Sequence, residues 1–294
     1  MLTRIISAII GGGVFLGVCF CGLLPSTIGI TVLTAVAIIE FNRGYAKAFA
    51  RNQAEQQTPP PSKLNALITW VGVLFPWFTY SAVQTQPARV DRIALLLGIL
   101  VLVLALRLRR PLREEGVLGR LTVSYGLVGM AYLGLLFSSF VLLRGLPGRL
   151  QLTPFPEFDR GAWLMVFTAT AVWATDSLAY FVGKAYGKRL LAPRISPAKT
   201  WEGFLGGLAG GLIAGLLFAQ GIHVSLLHGA VVGLIAGVFG PLGDLFESAL
   251  KRELNLKDFG SIMPGHGGIL DRFDSLLFVT PLIYLYLHFV AKIG

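Results

Sequence analysis

Residues 125–143 read YGLVGMAYLGLLFSSFVLL, a run of 19 residues without a charged side chain. A helix needs about 20 apolar residues to cross the hydrocarbon core of a bilayer, so this run is long enough to span a membrane. Of the 294 residues, 54% are hydrophobic and only 14% are charged, against about 25% charged in a typical soluble domain. The composition therefore predicts a polytopic membrane protein and excludes a soluble single-domain enzyme.

Apolar runs separated by charged segments predict about nine transmembrane helices in an all-α fold. The runs are approximately Ile5–Leu24, Ile28–Asn42, Leu64–Val83, Ile93–Leu108, Leu118–Leu143, Gly161–Gly183, Phe204–Gly221, Leu227–Leu250 and Ser275–Val290. Residues 1–160 form an N-terminal region with five of these helices. Residues 161–294 form the expected catalytic region, with four helices and two polar loops at 184–203 and 251–274.

The distribution of basic residues predicts the orientation of the helices. If the N-terminus is cytoplasmic, 19 of the 25 Lys and Arg residues fall in cytoplasmic segments and the C-terminus lies outside. Basic residues are enriched in cytoplasmic loops of membrane proteins, which accounts for the net charge of +10 without a nucleic-acid partner. We therefore expect a multi-pass protein of the inner (cytoplasmic) membrane, with both polar loops facing the cytoplasm.

Acidic residues within the predicted helices are candidates for function. Asp176 lies in the sixth helix, and Asp244 and Glu247 lie in the eighth. A charged residue at the centre of such a helix costs roughly 2.5–3.5 kcal/mol on insertion scales, so it is retained for a reason. Asp244, Ser248 and Lys251 follow at i, i+4 and i+7 and share one helix face. The alternative is a purely structural carboxylate, paired with a neighbouring Lys or Arg.

The most polar segment is SALKRELNLKDFGSIMPGHGGILDRFDS, residues 248–275. Its candidate binding residues are Lys251, Arg252, Lys257, Asp258, His266, Gly267, Gly268, Asp271, Arg272 and Asp274. Mg²⁺ in phosphate sites is held by one or two carboxylates together with phosphate oxygens. Cations neutralise the remaining phosphate charge, and the backbone amides of a glycine pair can face an anion. The segment is therefore suited to a magnesium-bound polyphosphate, although a solvated connector of mixed charge remains the simpler alternative.

A second polar segment, GKAYGKRLLAPRISPAKTWEG, covers residues 183–203. Ser196 and Pro197 predict a helix start, with Ser196 as the N-cap and proline at the first helical position. The N-terminus of that helix would present its dipole and Lys199 to a phosphate group. By itself this signal is weak, because Ser-Pro begins many ordinary helices.

The 248–274 segment resembles the signature of the phosphatidate cytidylyltransferases, also called CDP-diacylglycerol synthases. The signature reads S-x-x-K-R, then K-D after four residues, then P-x-H-G-G-x-x-D-R-x-D. The agreement continues upstream through Asp176 and residues 196–203, so it covers roughly the C-terminal 45% of the chain. Leu178, Ala198 and Met263 depart from residues common in the family, but no charged group is lost.

The resemblance implies transfer of CMP from CTP to phosphatidate in the bilayer, which releases pyrophosphate and yields CDP-diacylglycerol. It assigns Mg²⁺ to Asp244 and Asp271, with K⁺ as a second cation beside it. Lys251 and Arg272 join these aspartates as catalytic residues. The expected substrate-binding residues are Asp176, Ser196, Lys199, Ser248, Arg252, Lys257, Asp258, His266, Gly267, Gly268 and Asp274.

Several alternatives stay open at this point. The same head-group chemistry could act on an ether-lipid phosphate, since the sequence says nothing of the apolar groove. A CDP-alcohol phosphotransferase is disfavoured because its D-G-x-x-A-R motif is absent. A cation-coupled transporter should have two similar halves, and no internal repeat is seen. A non-catalytic binding protein requires a vestigial site, although every charged position is present. The sequence also leaves open whether two copies form a homodimer.

Overall fold

The computed structural model describes residues 2–53, 63–107, 125–150, 158–221, 224–262 and 267–293. Its N-terminal helices are α1 (Leu2–Phe20), α2 (Leu23–Gln53), α3 (Lys63–Val71), α4 (Phe75–Thr85), α5 (Pro87–Arg107), α6 (Tyr125–Gly129) and α7 (Leu136–Arg144). A 3₁₀ turn, Gly72–Leu74, joins α3 to α4, and a π-helical segment, Met130–Leu135, joins α6 to α7. Each of these two pairs therefore forms one continuous span.

The C-terminal part contains four long helices and a short hairpin. The helices are α8 (Arg160–Tyr186), α9 (Trp201–Gly221), α10 (Leu226–Glu253) and α11 (Leu270–Leu285), and α11 continues into a π-helical turn, Tyr286–Val290. Strands β3 (Leu190–Ala192) and β4 (Ser196–Thr200) pair antiparallel between α8 and α9. A smaller antiparallel pair, β1 (Arg149–Leu150) and β2 (Phe158–Asp159), precedes α8.

The predicted all-α membrane fold is confirmed. Seven helical segments among the described residues are long and apolar enough to cross a bilayer: Leu23–Ala48, Lys63–Thr85, Tyr125–Arg144, Arg160–Tyr186, Trp201–Gln220, Leu226–Glu253 and Leu270–Val290. The other two predicted runs correspond to α1, with a shorter apolar stretch at Gly11–Phe20, and to α5, which is 21 residues long. The chain is thus a multi-pass membrane protein, and the sidedness of its termini stays a prediction.

Three helices extend five residues or more beyond their predicted bounds: α2, α11 and α5, which begins at Pro87 rather than Ile93. The second run, Ile28–Asn42, is part of a helix that covers Leu23–Gln53, because the polar residues that follow Asn42 continue the helix beyond the apolar stretch. The ninth helix begins at Leu270 rather than Ser275. Carboxylates are favourable at a helix N-terminus, so the acidic segment before Ser275 forms the first turn. Residues 118–124 of the fifth predicted run lie outside the described residues.

The expected helix start at Ser196 is wrong. Residues Ser196–Thr200 form β4, in which Ser196 is paired with Ala192 and Thr200 with Leu190. Proline is tolerated there because it lies in an edge strand. The N-cap of α9 is Thr200 instead, since its Oγ1 accepts a hydrogen bond from the amide of Gly203 at 3.1 Å. Lys199 therefore projects from a strand and not from the first turn of a helix.

Helix α9 packs against α8 on one side and α10 on the other through glycines. A Cβ placed on Gly210 would lie 2.6 Å from the carbonyl oxygen of Ala174 in α8, and one on Gly211 would lie 2.5 Å from that of Gly233 in α10. Small residues allow helices in lipid to approach to backbone contact. This close packing draws together the ends of α8 and α10 and the start of α9, where the polar loops lie.

We predict that Gly211→Ala destabilises the protein. The added methyl group would meet the Gly233 carbonyl and, at 2.7 Å, Oγ1 of Thr175, and overpacking of this kind costs about 1–3 kcal/mol. The measurement is the midpoint of thermal unfolding of the purified protein in detergent. Gly17→Ala is the matched control, because nothing lies within 4 Å of a Cβ at that position in α1. Equal midpoints for the two variants would contradict the packing described above.

Candidate active site

The site lies where the C-terminal ends of α8 and α10 meet the N-terminal ends of α9 and α11. At Gly243, α10 touches the α11 backbone so closely that a Cβ would lie 2.5 Å from the carbonyl oxygen of Asp274. Glycine is required at this crossing, because any side chain would push the helices apart. The crossing places Asp244, the next residue, beside the first turn of α11.

Asp244 forms the centre of a first polar group. Its Oδ2 lies 2.6 Å from Nζ of Lys199, which extends from β4. Its Oδ1 accepts a hydrogen bond from Oγ of Ser248, one helical turn later, at 3.1 Å. The Asp244 side chain remains 34% exposed, so its carboxylate can be reached by a ligand.

Two further carboxylates belong to this group. Asp176 in α8 interacts electrostatically with Asp244, Lys199 and Arg272. Asp274 in α11 interacts with Asp244, Asp176 and Lys199. Three acidic side chains thus lie near two basic ones, which leaves more acidic than basic groups at this end of the helices.

Asp271 forms the centre of a second, more buried group. Its Oδ1 accepts a hydrogen bond from Nζ of Lys251 at 2.8 Å, and the same ammonium group lies 2.6 Å from Oε2 of Glu247. Its Oδ2 accepts hydrogen bonds from the backbone amides of Gly268 at 2.8 Å and Phe259 at 3.2 Å. Glu247 is fully buried, so its carboxyl group has no contact with water and is paired with Lys251 instead.

Both groups surround one buried hydroxyl. Tyr132, in the π-helical segment, is fully buried, and its hydroxyl has no hydrogen-bond partner within the described part of the chain. It interacts electrostatically with Glu247, Asp274, Asp244 and Asp271. The acids of α10 and α11 therefore converge on one region of the helix bundle, although Asp244 and Asp271 are each paired with a lysine of their own.

The donors present are chemically suited to a hard divalent cation, since all are carboxylates. No set of three or more His, Cys, Asp or Glu side chains in the described ranges has the geometry of a preformed metal site. That arrangement is compatible with Mg²⁺, which is usually held by one or two carboxylates and completed by substrate phosphates and water. The pairing of Asp244 with Asp271 on one ion stays a prediction.

The remaining predicted residues of the described ranges lie in the β3–β4 hairpin, at the end of α10, in the connection that follows it or at the start of α11. Nε of Arg252 donates to the carbonyl oxygen of Ile195 at 3.1 Å, which ties α10 to the β3–β4 hairpin and so to Ser196. Arg272 is exposed at the start of α11, and Lys257 and Asp258 are exposed in the connection from α10. Gly267 has a φ of +85°, a left-handed conformation that glycine adopts without strain. His266 lies outside the described residues.

Sequence reasoning missed one buried acid, Glu40 in α2. Its Oε2 accepts a hydrogen bond from the amide of Leu270 at 3.1 Å, directly beside Asp271. The sequence does indicate a candidate residue here, because Glu40 is a lone carboxylate inside a predicted transmembrane run. Glu202, in the first turn of α9, was likewise not proposed as a site residue. Its carboxylate accepts hydrogen bonds from the backbone amides of Lys188 and Arg189 at 3.0 and 3.2 Å. These bonds hold the start of the β3–β4 hairpin against α9.

Comparison with known proteins agrees with these features. The phosphatidate cytidylyltransferase of Bacillus subtilis (strain 168) is 35% identical over 290 residues, which are 98% of this chain and 97% of that protein. The phosphatidate cytidylyltransferase of Staphylococcus haemolyticus (strain JCSC1435) is 40% identical over 166 residues, covering 56% of this chain and 58% of that protein. The one from Staphylococcus saprophyticus is 46% identical over 131 residues, covering 44% and 50% of the two chains.

The match to the family model includes both polar groups and extends well beyond them. The model of the cytidylyltransferase family aligns with residues 2–290, so it includes all the helices that frame the site as well as the signature itself. Since the family model and the Bacillus subtilis relative both match nearly the whole length, the chain belongs to the cytidylyltransferase family.

Proposed function

We propose that the protein is a phosphatidate cytidylyltransferase, which transfers CMP from CTP to phosphatidate and forms CDP-diacylglycerol and pyrophosphate. The observation that supports this most is the placement of Asp244 and Asp271, each beside a lysine, at the crossing of α10 and α11. A site for two phosphate-bearing substrates needs both kinds of charge. The cations bind phosphate, and the carboxylates hold a metal ion that phosphate also binds.

The reaction is a direct in-line displacement at the α-phosphorus of CTP. The second pKa of a phosphate monoester is about 6, so phosphatidate is largely a dianion near neutral pH and needs no general base. One of its oxygens forms a bond to the α-phosphorus, while the bond from that phosphorus to the bridging oxygen of the β-phosphate breaks. The main barrier is repulsion between the two anions, and this is the barrier that the protein's charges lower.

The basic residues bind and orient the phosphates of both substrates. Lys199 is bonded to an accessible carboxylate, so its ammonium group can turn from Asp244 to a phosphate oxygen. Arg272 and Lys257 are exposed and are available for the same purpose. Lys251 is held between two carboxylates, so it keeps the buried acids of α10 and α11 in register.

We propose Mg²⁺ as the divalent cofactor, held by Asp244 and Asp271, and K⁺ as the second cation. When bound, Mg²⁺ supplies Lewis acidity that polarises the phosphate and neutralises charge on the leaving pyrophosphate. The excess of carboxylates around Tyr132 supports a cation at this place.

The proposed location is the inner membrane, with the site at its cytoplasmic face. CTP is a soluble cytosolic nucleotide and phosphatidate is a membrane lipid, so the two meet only at that interface. The ends of α8 and α10 and the starts of α9 and α11 form one end of the bundle, and the charge distribution of the loops assigns that end to the cytoplasm.

We predict that Asp244→Asn lowers turnover by about a hundredfold or more, in line with the loss of one electrostatic contact to a transition state. The assay follows conversion of radiolabelled CTP and phosphatidate to CDP-diacylglycerol by the purified protein. Activity is expected to disappear when Mg²⁺ is chelated and to return when it is restored. Asp91→Asn is the control, because that carboxylate contacts His288, away from the site.

A wild-type protein that forms no CDP-diacylglycerol from CTP and phosphatidate would contradict the proposed function. Asp244→Asn with wild-type turnover would contradict the role of that carboxylate. Ion flux into liposomes without nucleotide chemistry would favour a transporter instead.

The orientation can be tested with single cysteines in a Cys19→Ala, Cys21→Ala background. Lys188→Cys, near the β3–β4 hairpin, is expected to react with a membrane-impermeant maleimide in inverted vesicles but not in intact cells. Gln86→Cys, after α4, is expected to do the opposite. Both positions are exposed, so a lack of labelling would not come from burial. The reverse pattern would overturn the proposed sidedness.

A further inference from the structure

Glu40 is a buried carboxylate far from the catalytic signature in sequence. It lies in α2 within the span Leu23–Ala48 and is 2% exposed. A charged group inside a membrane span is costly and is retained where it has a specific partner or task. It accepts a hydrogen bond from the backbone of Leu270, which is 230 residues away in the chain.

The carboxylate of Glu40 caps the N-terminus of α11. Its Oε2 accepts a hydrogen bond from the backbone amide of Leu270, the first residue of that helix, at 3.1 Å. The backbone amide of Ile269 interacts with the same carboxyl group. A negative charge at this position also interacts favourably with the helix dipole. Glu40 thus supplies the cap that no side chain of the α11 segment provides, since Ile269 at the N-cap makes no capping bond.

Two glycines leave room for this carboxylate. A Cβ on Gly268 would lie 2.6 Å from Cδ of Glu40, and one on Gly260 would lie 2.9 Å from its Cγ. At both positions the three atoms nearest to the added Cβ all belong to Glu40. The backbone on both sides of the 263–266 segment therefore closes directly around one side chain of α2.

The neighbouring residues of α2 hold the same connection. The ring of Phe41 lies 5.8 Å from that of Phe259 between centroids. A Cβ on Gly44 would lie 2.9 Å from Cδ1 of Leu256 and 3.0 Å from Cδ1 of Phe259. One stretch of α2 thus supports the chain that leads from α10 to α11.

This support extends to Asp271. The two backbone amides that donate to Oδ2 of Asp271 belong to Gly268 and Phe259. Gly268 packs on Glu40, and Phe259 packs on Phe41. A shift of this backbone would move both donors away from the carboxylate and release its fixed orientation.

We infer that Glu40 is a positioning residue, which holds the Gly267–Leu270 turn so that the Gly268 amide fixes the carboxylate of Asp271. The inference rests on the proposed function and deepens it. It also assigns a role to the N-terminal helices, because α2 completes a site whose signature residues all lie after residue 160. Glu40 acts through the backbone of the turn, so its loss should slow turnover without removing any group that binds CTP.

The test compares Glu40→Ala and Glu40→Gln in the full-length protein, purified in detergent. Glu40→Ala removes the cap, and we expect kcat to fall by about a hundredfold, the effect of misplacing a reacting group by about 1 Å, while KM for CTP stays within about twofold. Glu40→Gln keeps the shape and an acceptor oxygen but loses the charge that strengthens the bond, so we expect partial rescue, with kcat reduced roughly tenfold. Thr34→Val is the control, because this buried hydroxyl of α2 donates to the Ile30 carbonyl of its own helix and has no second partner among the residues that the structure describes.

Hydrogen exchange at the amides of Gly268 and Leu270 provides a measurement that does not depend on turnover. We expect faster exchange in both Glu40 variants than in the wild type and in Thr34→Val. If the wild type forms no CDP-diacylglycerol, the proposed function fails, but this measurement still tests the position of the turn.

Three results would overturn the inference. The first is wild-type kcat in Glu40→Ala, and the second is unchanged exchange at these amides. The third is a loss of activity that is fully explained by a smaller amount of folded protein, so that the protein that does fold turns over at the wild-type rate. Should Glu40→Ala fail to fold, Glu40→Gln decides: wild-type kcat together with wild-type exchange would exclude a positioning role.

Discussion

The ammonium group of Lys251 lies between two buried carboxylates, Glu247 and Asp271, and the arrangement of the site depends on this contact. Removing one partner of a buried charge cluster leaves an uncompensated charge, at a cost of about 3–5 kcal/mol. Helices α10 and α11 are thereby held in one register. With that register fixed, Gly243 meets the backbone of Asp274, and Asp244 is placed at the accessible end of the bundle.

The two polar groups differ in exposure, and this separates their roles. The Asp271 group is closed, because both oxygens of that carboxylate have protein partners. The Asp244 group is open, since Lys199 comes from a hairpin and Asp244 stays partly exposed. Within a membrane protein such a division is expected, because charges buried between helices must be paired, whereas a site for soluble substrates needs a side that is open to water.

The helices of this protein could be predicted from sequence because the bilayer sets their length and composition. The β4 strand could not, since Ser196-Pro197 is compatible with a helix start and only pairing with residues 190–192 decides otherwise. The signature identified the residues of the site but not their partners. Lys199 of β4 meets Asp244 of α10, and Glu40 meets Leu270 across most of the chain. These contacts depend on how the helices pack, which no local pattern records.

Under the proposed function, the pairing of lysines with carboxylates explains how one site accepts two polyanions. Without substrate, Lys199 and Asp244 neutralise each other, so neither charge stands alone at the membrane surface. A nucleotide that brings a divalent cation supplies a new partner for each: phosphate for the lysine and the cation for the carboxylate. Both charges then stay paired on binding, and the desolvation cost of isolated charges is avoided. A site lined only with cations would bind the phosphates strongly but would also hold the pyrophosphate product, and that would slow turnover.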